Sequence, residues 1–258
     1  MPEIIIQTTE LKDSGFIATV TLSNEQRLNC IDSKLARQLT AGIKKLGENP
    51  DLRAVKLQGA GKRAFIGGAD IREMAELTPD TAKEFITTLH QTCAALRELP
   101  VPVVAQISGY CFGAGLEIAA SCDLRIADHS ASFAMPEVQI GLPSVIEAAL
   151  LPRLIGAGRA AQLVYTGAPI NAETAYQWGL IEQLTTPDTL TQDVDRTLQN
   201  ITQADPAAIR MQKQLLRQWS SLSLEDAIQH SIEVFPKAYD TPAAQQRMQA
   251  FLNRKRNK

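Results

Sequence analysis

The apolar run from Val101 to Ile107 ends against Gly109-Tyr110-Cys111-Phe112-Gly113-Ala114-Gly115, a loop poor in side-chain bulk. Leu116 to Ser121 follows with an Ala- and Leu-rich helical pattern. A buried strand, a small-residue loop and a helix in that order constrain the chain more than any other stretch. Glu117 falls in the first turn of that helix, and a second carboxylate, Glu137, follows Pro136.

This arrangement suits charge stabilisation. A helix N-terminus leaves backbone N–H groups without intrahelical partners, and its dipole favours nearby negative charge. Small residues let a substrate approach that backbone closely. Each well-placed donor of an oxyanion hole contributes roughly 3 kcal/mol to a transition state. Two carboxylates at one centre divide acid and base roles when their environments separate their ionisation. A structural account stands beside this one, because a Glu in a first turn is favoured by the helix dipole alone.

Along the chain, Glu3 to Thr8 and Phe16 to Leu22 are strand-like, with a hairpin turn at Lys12-Asp13-Ser14-Gly15. Asp32 or Ser33 caps a helix whose Leu35, Leu39, Ile43 and Leu46 share a face, and Gly47 suits its stop. Arg53 to Leu57 is a short strand. Gly59-Ala60-Gly61-Lys62 ends like a phosphate-binding loop, but Lys56 stands where the first glycine is needed and Arg63 where Ser or Thr is needed. Gly67-Gly68-Ala69-Asp70 is a second small-residue loop, leading into a helical stretch.

Thr78-Pro79-Asp80 opens a long helix striped by Phe85, Leu89, Cys93 and Leu96, with His90 beside the stripe. Asp123 to Ala127 and Ala131 to Ala134 are strands, and Val145 to Ile155 is an apolar helix. Glu147 on that segment is either a third site residue or an ion-paired or surface residue. Gly156 to Tyr165 and a short helix from Asn171 to Gly179 follow, then a brief strand at Leu180-Ile181. Four helices end the chain: Val194 to Ile201, Pro206 to Trp219, Leu224 to Val234 and Thr241 to Arg256. Alternating α and β segments place the chain in the α/β class. The expected division is a core over 1–195 and a helical region over 196–258.

Composition excludes several functions. A net charge of −2 provides no electrostatic footprint for nucleic acid. No apolar run approaches the roughly 20 residues that span a bilayer. Cys30, Cys93, Cys111 and Cys122 have neither metal-type nor disulfide-framework spacing. The opening Met1-Pro2-Glu3-Ile4 has no targeting pattern, so a cytoplasmic location is expected. There is no Gly-x-Ser-x-Gly elbow for a serine hydrolase, and His90, His129 and His230 have no suggestive setting.

The segment GYCFGAGLEIAASCDLRIADHSASFAMPEVQIG resembles the signature of the enoyl-CoA hydratase/isomerase (crotonase) superfamily, and KRAFIGGADIREM, from Lys62 to Met74, is similar to its first oxyanion loop. The resemblance covers most of the chain. It implies an α/β spiral of stacked ββα units with a C-terminal helical trimerisation region, assembled as a homotrimer or a hexamer. It implies an enoyl-CoA hydratase that adds water across the 2,3 double bond of an acyl-CoA thioester. The backbone N–H groups of Ala69 and Ala114 would form the oxyanion hole. Glu117 would activate water, and Glu137 would exchange the proton at C2. Arg27, Leu28, Cys30, Ala64, Gly68, Asp70, Ile71 and Gly113 would contact the substrate, with Phe251 and Arg254 of a neighbouring subunit touching coenzyme A. Neither metal nor redox cofactor is implied, since coenzyme A belongs to the substrate. Ser144-Val145-Ile146-Glu147 stands where many hydratases have a Gly-rich segment, and is one residue shorter. Isomerisation, other acyl-CoA enolate chemistry and non-catalytic acyl-CoA binding therefore remain as alternatives.

Overall fold

The computed structural model describes residues 2–12 and 14–256, the last three as backbone only. In chain order the strands and α-helices are β1 (Glu3–Glu10), β2 (Phe16–Ser23), α1 (Ser33–Gly47), β3 (Leu52–Gly59), β4 (Ala64–Ile66), α2 (Ile71–Met74), α3 (Pro79–Glu98), β5 (Val103–Ile107), β6 (Tyr110–Phe112), α4 (Ala114–Ala120), β7 (Leu124–Asp128), β8 (Ser132–Ala134), α5 (Leu151–Ile155), α6 (Ala157–Thr166), β9 (Ile170–Asn171), α7 (Ala172–Trp178), β10 (Gln183–Thr185), α8 (Leu190–Gln203), α9 (Pro206–Trp219), α10 (Leu224–Val234) and α11 (Ala243–Arg256). Two compact units divide between Leu198 and Gln199.

In the first unit, β1 and β2 pair antiparallel across the expected hairpin, whose Asp13 lies outside the described residues. The remaining neighbours in the six-stranded sheet, ordered β1-β2-β3-β5-β7-β10, are parallel. A second sheet runs β4-β6-β8-β9, parallel until the last pair. The chain visits the sheets in turn, β3 then β4, β5 then β6, β7 then β8, with helix after each passage. This is the expected spiral of ββα units.

Sequence pattern explains the layers. Phe16, Ala18, Val20 and Leu22 alternate inward along β2. β5 lies between two parallel strands, and Val103, Val104, Ala105 and Ile107 are all buried. Each large aliphatic residue fully buried there contributes about 1.5–3 kcal/mol. Asp32 caps α1 by accepting the Leu35 N–H at 2.7 Å. Thr78 and Thr81 form a capping box on α3. The two helices share a buried contact, Thr40 Oγ1 to Thr92 Oγ1 at 2.9 Å.

Several expectations are corrected. Gly47 ends α1 but is not its left-handed cap, since the cap is Glu48 in right-handed geometry. Tyr110 to Phe112 is a strand, β6, rather than loop, because its backbone completes the second sheet between β4 and β8. Ala64 to Ile66 is likewise a strand. The helix expected over Val145 to Ile155 breaks into a 3-10 turn, Ile146–Leu150, and the short α5, because Ile146 takes φ 41° and Pro152 starts a new helix. The strand near Leu180 falls later, at β10. Asn171 and Gly179 do bracket α7 as expected, the latter at φ 80°. No described helix is long and apolar enough to cross a membrane.

The second unit holds α9, α10 and α11. Asp205 caps α9 and Ser223 caps α10. Trp219 Nε1 donates to Ser231 Oγ at 2.9 Å. Leu224, Ile228, Ile232 and Phe235 remain exposed.

Candidate active site

A cavity of about 620 Å³ opens in the first unit, lined by Ala69, Ala114, Glu117 and Glu137 together with the apolar side chains of α2, α3 and the Leu142–Val145 turn. Elements distant in sequence meet here because β4 and β6 are adjacent strands of one sheet. Their following loops therefore end side by side.

Each loop leaves one amide free. Ala69 forms an isolated parallel bridge with Ile31 through the Gly68 carbonyl and the Asp70 N–H, each at 2.9 Å. The Ala69 N–H consequently points to the other side of the backbone. Ala114 is the first residue of α4, where an N–H has no intrahelical acceptor. Gly113 before it holds φ 50° and ψ −121°, a region hostile to side chains.

The carboxylates occupy different surroundings. Glu117 is buried and accepts the Ala148 N–H at 3.2 Å on Oε1. Burial pushes its carboxyl up to about 8, the Ala148 N–H opposes that rise, and the negative charges of Glu137 and Glu147 add to it. Glu137 lies in the first turn of a 3-10 segment, Pro136–Ile140, and is half-buried. Its Oε2 accepts the Ser144 hydroxyl at 2.7 Å.

The loop carrying Arg27, Leu28 and Cys30 packs on the segment carrying Ala64, Gly68 and Asp70. Arg27 pairs with Asp70 at 2.9 Å, and the Gly67 N–H donates to the Leu28 carbonyl at 2.8 Å. Leu28 and Asn29 both hold left-handed backbone. Asn29 stabilises that bend by donating to the carbonyls of Ala60 and Ala64. Ile71 is exposed beside this group. Phe251 is exposed in the second unit, and the side chain of Arg254 lies outside the described residues.

Ser144 and Ala148 are contacts that sequence reasoning missed. The only signal was their place beside Glu147 in the shortened segment. Glu147 is ion-paired, as one reading held, but is buried rather than on the surface. His90 is its partner. His129 pairs with Glu173. Cys93, Cys111 and Cys122 are buried, which pushes the thiols of Cys93 and Cys111 well up.

Comparison with known proteins agrees with this architecture. The model of the enoyl-CoA hydratase/isomerase family matches residues 12–258. A short-chain-enoyl-CoA hydratase of Clostridium acetobutylicum is 31% identical over 247 residues, 95% of each chain. An enoyl-CoA hydratase structure from Mycobacterium smegmatis superimposes with a TM-score of 0.91 at 26% identity, covering 96% of each chain. One from Bacillus anthracis gives 0.90 at 28% identity, again over 96% of each. With a family match over nearly its whole length and paired small-residue loops opening on one cavity, the chain belongs to the enoyl-CoA hydratase/isomerase family and has the crotonase fold.

Proposed function

We propose that the protein is an enoyl-CoA hydratase. The observation that carries this reading is the convergence of Glu117, Glu137, Ala69 and Ala114 on one largely apolar cavity. The thioester oxygen accepts hydrogen bonds from the Ala69 and Ala114 N–H groups, which stabilise the enolate-like charge of the transition state. Water bonds through oxygen to C3 as Glu117 takes one of its protons. Glu137 delivers a proton to C2, and the double bond becomes single. Exchange with solvent then resets both carboxyls. A base that holds its proton to about pH 8 is a strong one once ionised.

Arg27, Leu28, Cys30, Ala64, Gly68, Asp70, Ile71 and Gly113 seat the coenzyme A thioester in this reading. Phe251 and Arg254 of a neighbouring subunit complete that seat in a trimer or a dimer of trimers. The test is crotonyl-CoA hydration by Glu137→Gln, which should fall by roughly 100-fold or more. Parent-like activity would remove Glu137 from the reaction.

A double-bond isomerase is the second reading. The observation favouring it is the burial of Glu117, which pushes its carboxyl up to about 8 and leaves Glu137 to move a proton between C2 and C4 alone. Incubation with 2-enoyl- and 3-enoyl-CoA separates the two, since only hydration yields a 3-hydroxyacyl-CoA.

A further inference from the structure

Glu147 is a buried carboxylate for which the proposed reaction has no direct use. Its side chain is 3% exposed, yet its partners come from the solvent side. His90 Nδ1 lies 3.0 Å from Oε1 and 3.2 Å from Oε2, and Arg97 Nη1 donates to Oε1 at 3.1 Å. The His90 and Arg97 side chains are 49% and 39% exposed. Such a pair adds little net stability, because desolvating the carboxylate offsets the attraction; registry is the better-attested use.

The registry at stake is local. Ile146, just before Glu147, is a β-branched residue at φ 41°, a conformation that persists only when its surroundings impose it. Just after it, Ala148 donates its N–H to Glu117. At the other end of the same segment Ser144 donates to Glu137, and Val145 lines the cavity. Glu147 itself is not among the described residues lining that cavity.

We infer that Glu147 is a positioning residue: pinned to α3 by Arg97 and His90, it holds the Ser144 to Ala148 segment in the conformation that presents the Ala148 N–H to Glu117. The inference rests on the hydratase reading only in taking Glu117 as the working base. The charged and titratable groups around Glu147 are His90, Cys93 and Arg97 on α3 and Glu117 on α4. α5, also packed on the turn, carries Arg153. Cutting the Arg97 tether strips Glu147 of a counter-charge and releases the Ala148 N–H. Both changes favour neutral Glu117.

The test uses Arg97→Gln, Arg97→Lys and the parent, each followed by carboxyl 13C NMR titration and by the pH dependence of kcat/KM. The Glu117 resonance is assigned through its loss in Glu117→Gln. In Arg97→Gln the Glu117 midpoint should move to higher pH and kcat should fall on the order of tenfold with KM little changed. Arg97→Lys should recover most of both. A Glu117 midpoint equal to the parent's in Arg97→Gln would overturn the inference, even if thermal stability dropped, since a merely structural pair predicts only the latter. If Arg97→Gln does not fold, His90→Gln is titrated in its place, with a smaller upward move expected and an unmoved midpoint again overturning the inference. A midpoint moved upward in Arg97→Gln, with a parent that hydrates no enoyl-CoA, would uphold the positioning role while refuting the hydratase reading.

Discussion

A β-carbon on Gly113 would stand 2.5 Å from Oε1 of Glu137. Gly113 therefore does two things: it makes the bend that opens α4, and it leaves room for the Glu137 carboxyl. Gly113→Ala should displace Glu137 and strain the bend. Enoyl-CoA hydration is expected to fall on the order of 100-fold, with a stability loss of about 1–3 kcal/mol. Steady-state kinetics and denaturant unfolding of the one variant check both.

The elevated Glu117 carboxyl makes a signed statement about rate. With Glu117 as general base, kcat/KM should rise about tenfold per pH unit and level off near pH 8. A profile that falls through that pH instead would make Glu117 the proton donor and exchange the two roles. Kinetics from pH 5.5 to 9.5 decide between them.

The same group makes a signed statement about stability. Its folded value lies above its unfolded one, so the native state binds more protons between about pH 4.5 and 8, and stability falls as pH rises through that window. Glu117→Gln removes this liability and keeps an acceptor for the Ala148 N–H. Thermal melts should show the variant and parent close together near pH 5. The variant should be more stable at pH 9 by about ten degrees, since a rise from 4.5 to about 8 corresponds to roughly 4–5 kcal/mol.

Ser144 donates to Glu137 at 2.7 Å, and Ser144→Ala removes that donor without altering the backbone. A side-chain hydrogen bond is worth about 0.5–1.5 kcal/mol. The expected result is a drop in kcat of roughly tenfold, with KM close to the parent's. A variant with unchanged kcat would show that Glu137 is oriented by other contacts.

The exposed Ile228, Ile232 and Phe235 form an apolar face on the second unit. If this face joins subunits, Ile228→Glu combined with Ile232→Glu should shift the particle mass in light scattering from a multiple of 28.1 kDa toward a single chain. An unchanged mass would place the interface elsewhere.

Local features were legible because their causes are local. Asp32, Thr78, Asn171 and Gly179 mark helix ends through hydrogen bonds or backbone angles within a few residues. The face of α1 follows from the spacing of Leu35, Leu39, Ile43 and Leu46. β6 was illegible for the opposite reason. Three residues between glycines carry no period, and Tyr110 to Phe112 becomes a strand only because β4 and β8 offer it partners. The broken helix after Val145 hid behind an apolar run whose interruption depends on the backbone of Ile146.

By itself the sequence determined the α/β alternation, the two small-residue loops and the family likeness, including both glutamates, since each is written in contiguous residues. Only the tertiary structure decided which amide meets which acid. The Ala148 N–H reaches Glu117 across 31 positions, and Arg97 reaches Glu147 across 50. Burial, which pushes the Glu117 carboxyl up, is likewise a property of packed neighbours. Contacts at that separation arise from the stacking of successive turns, which no local period encodes.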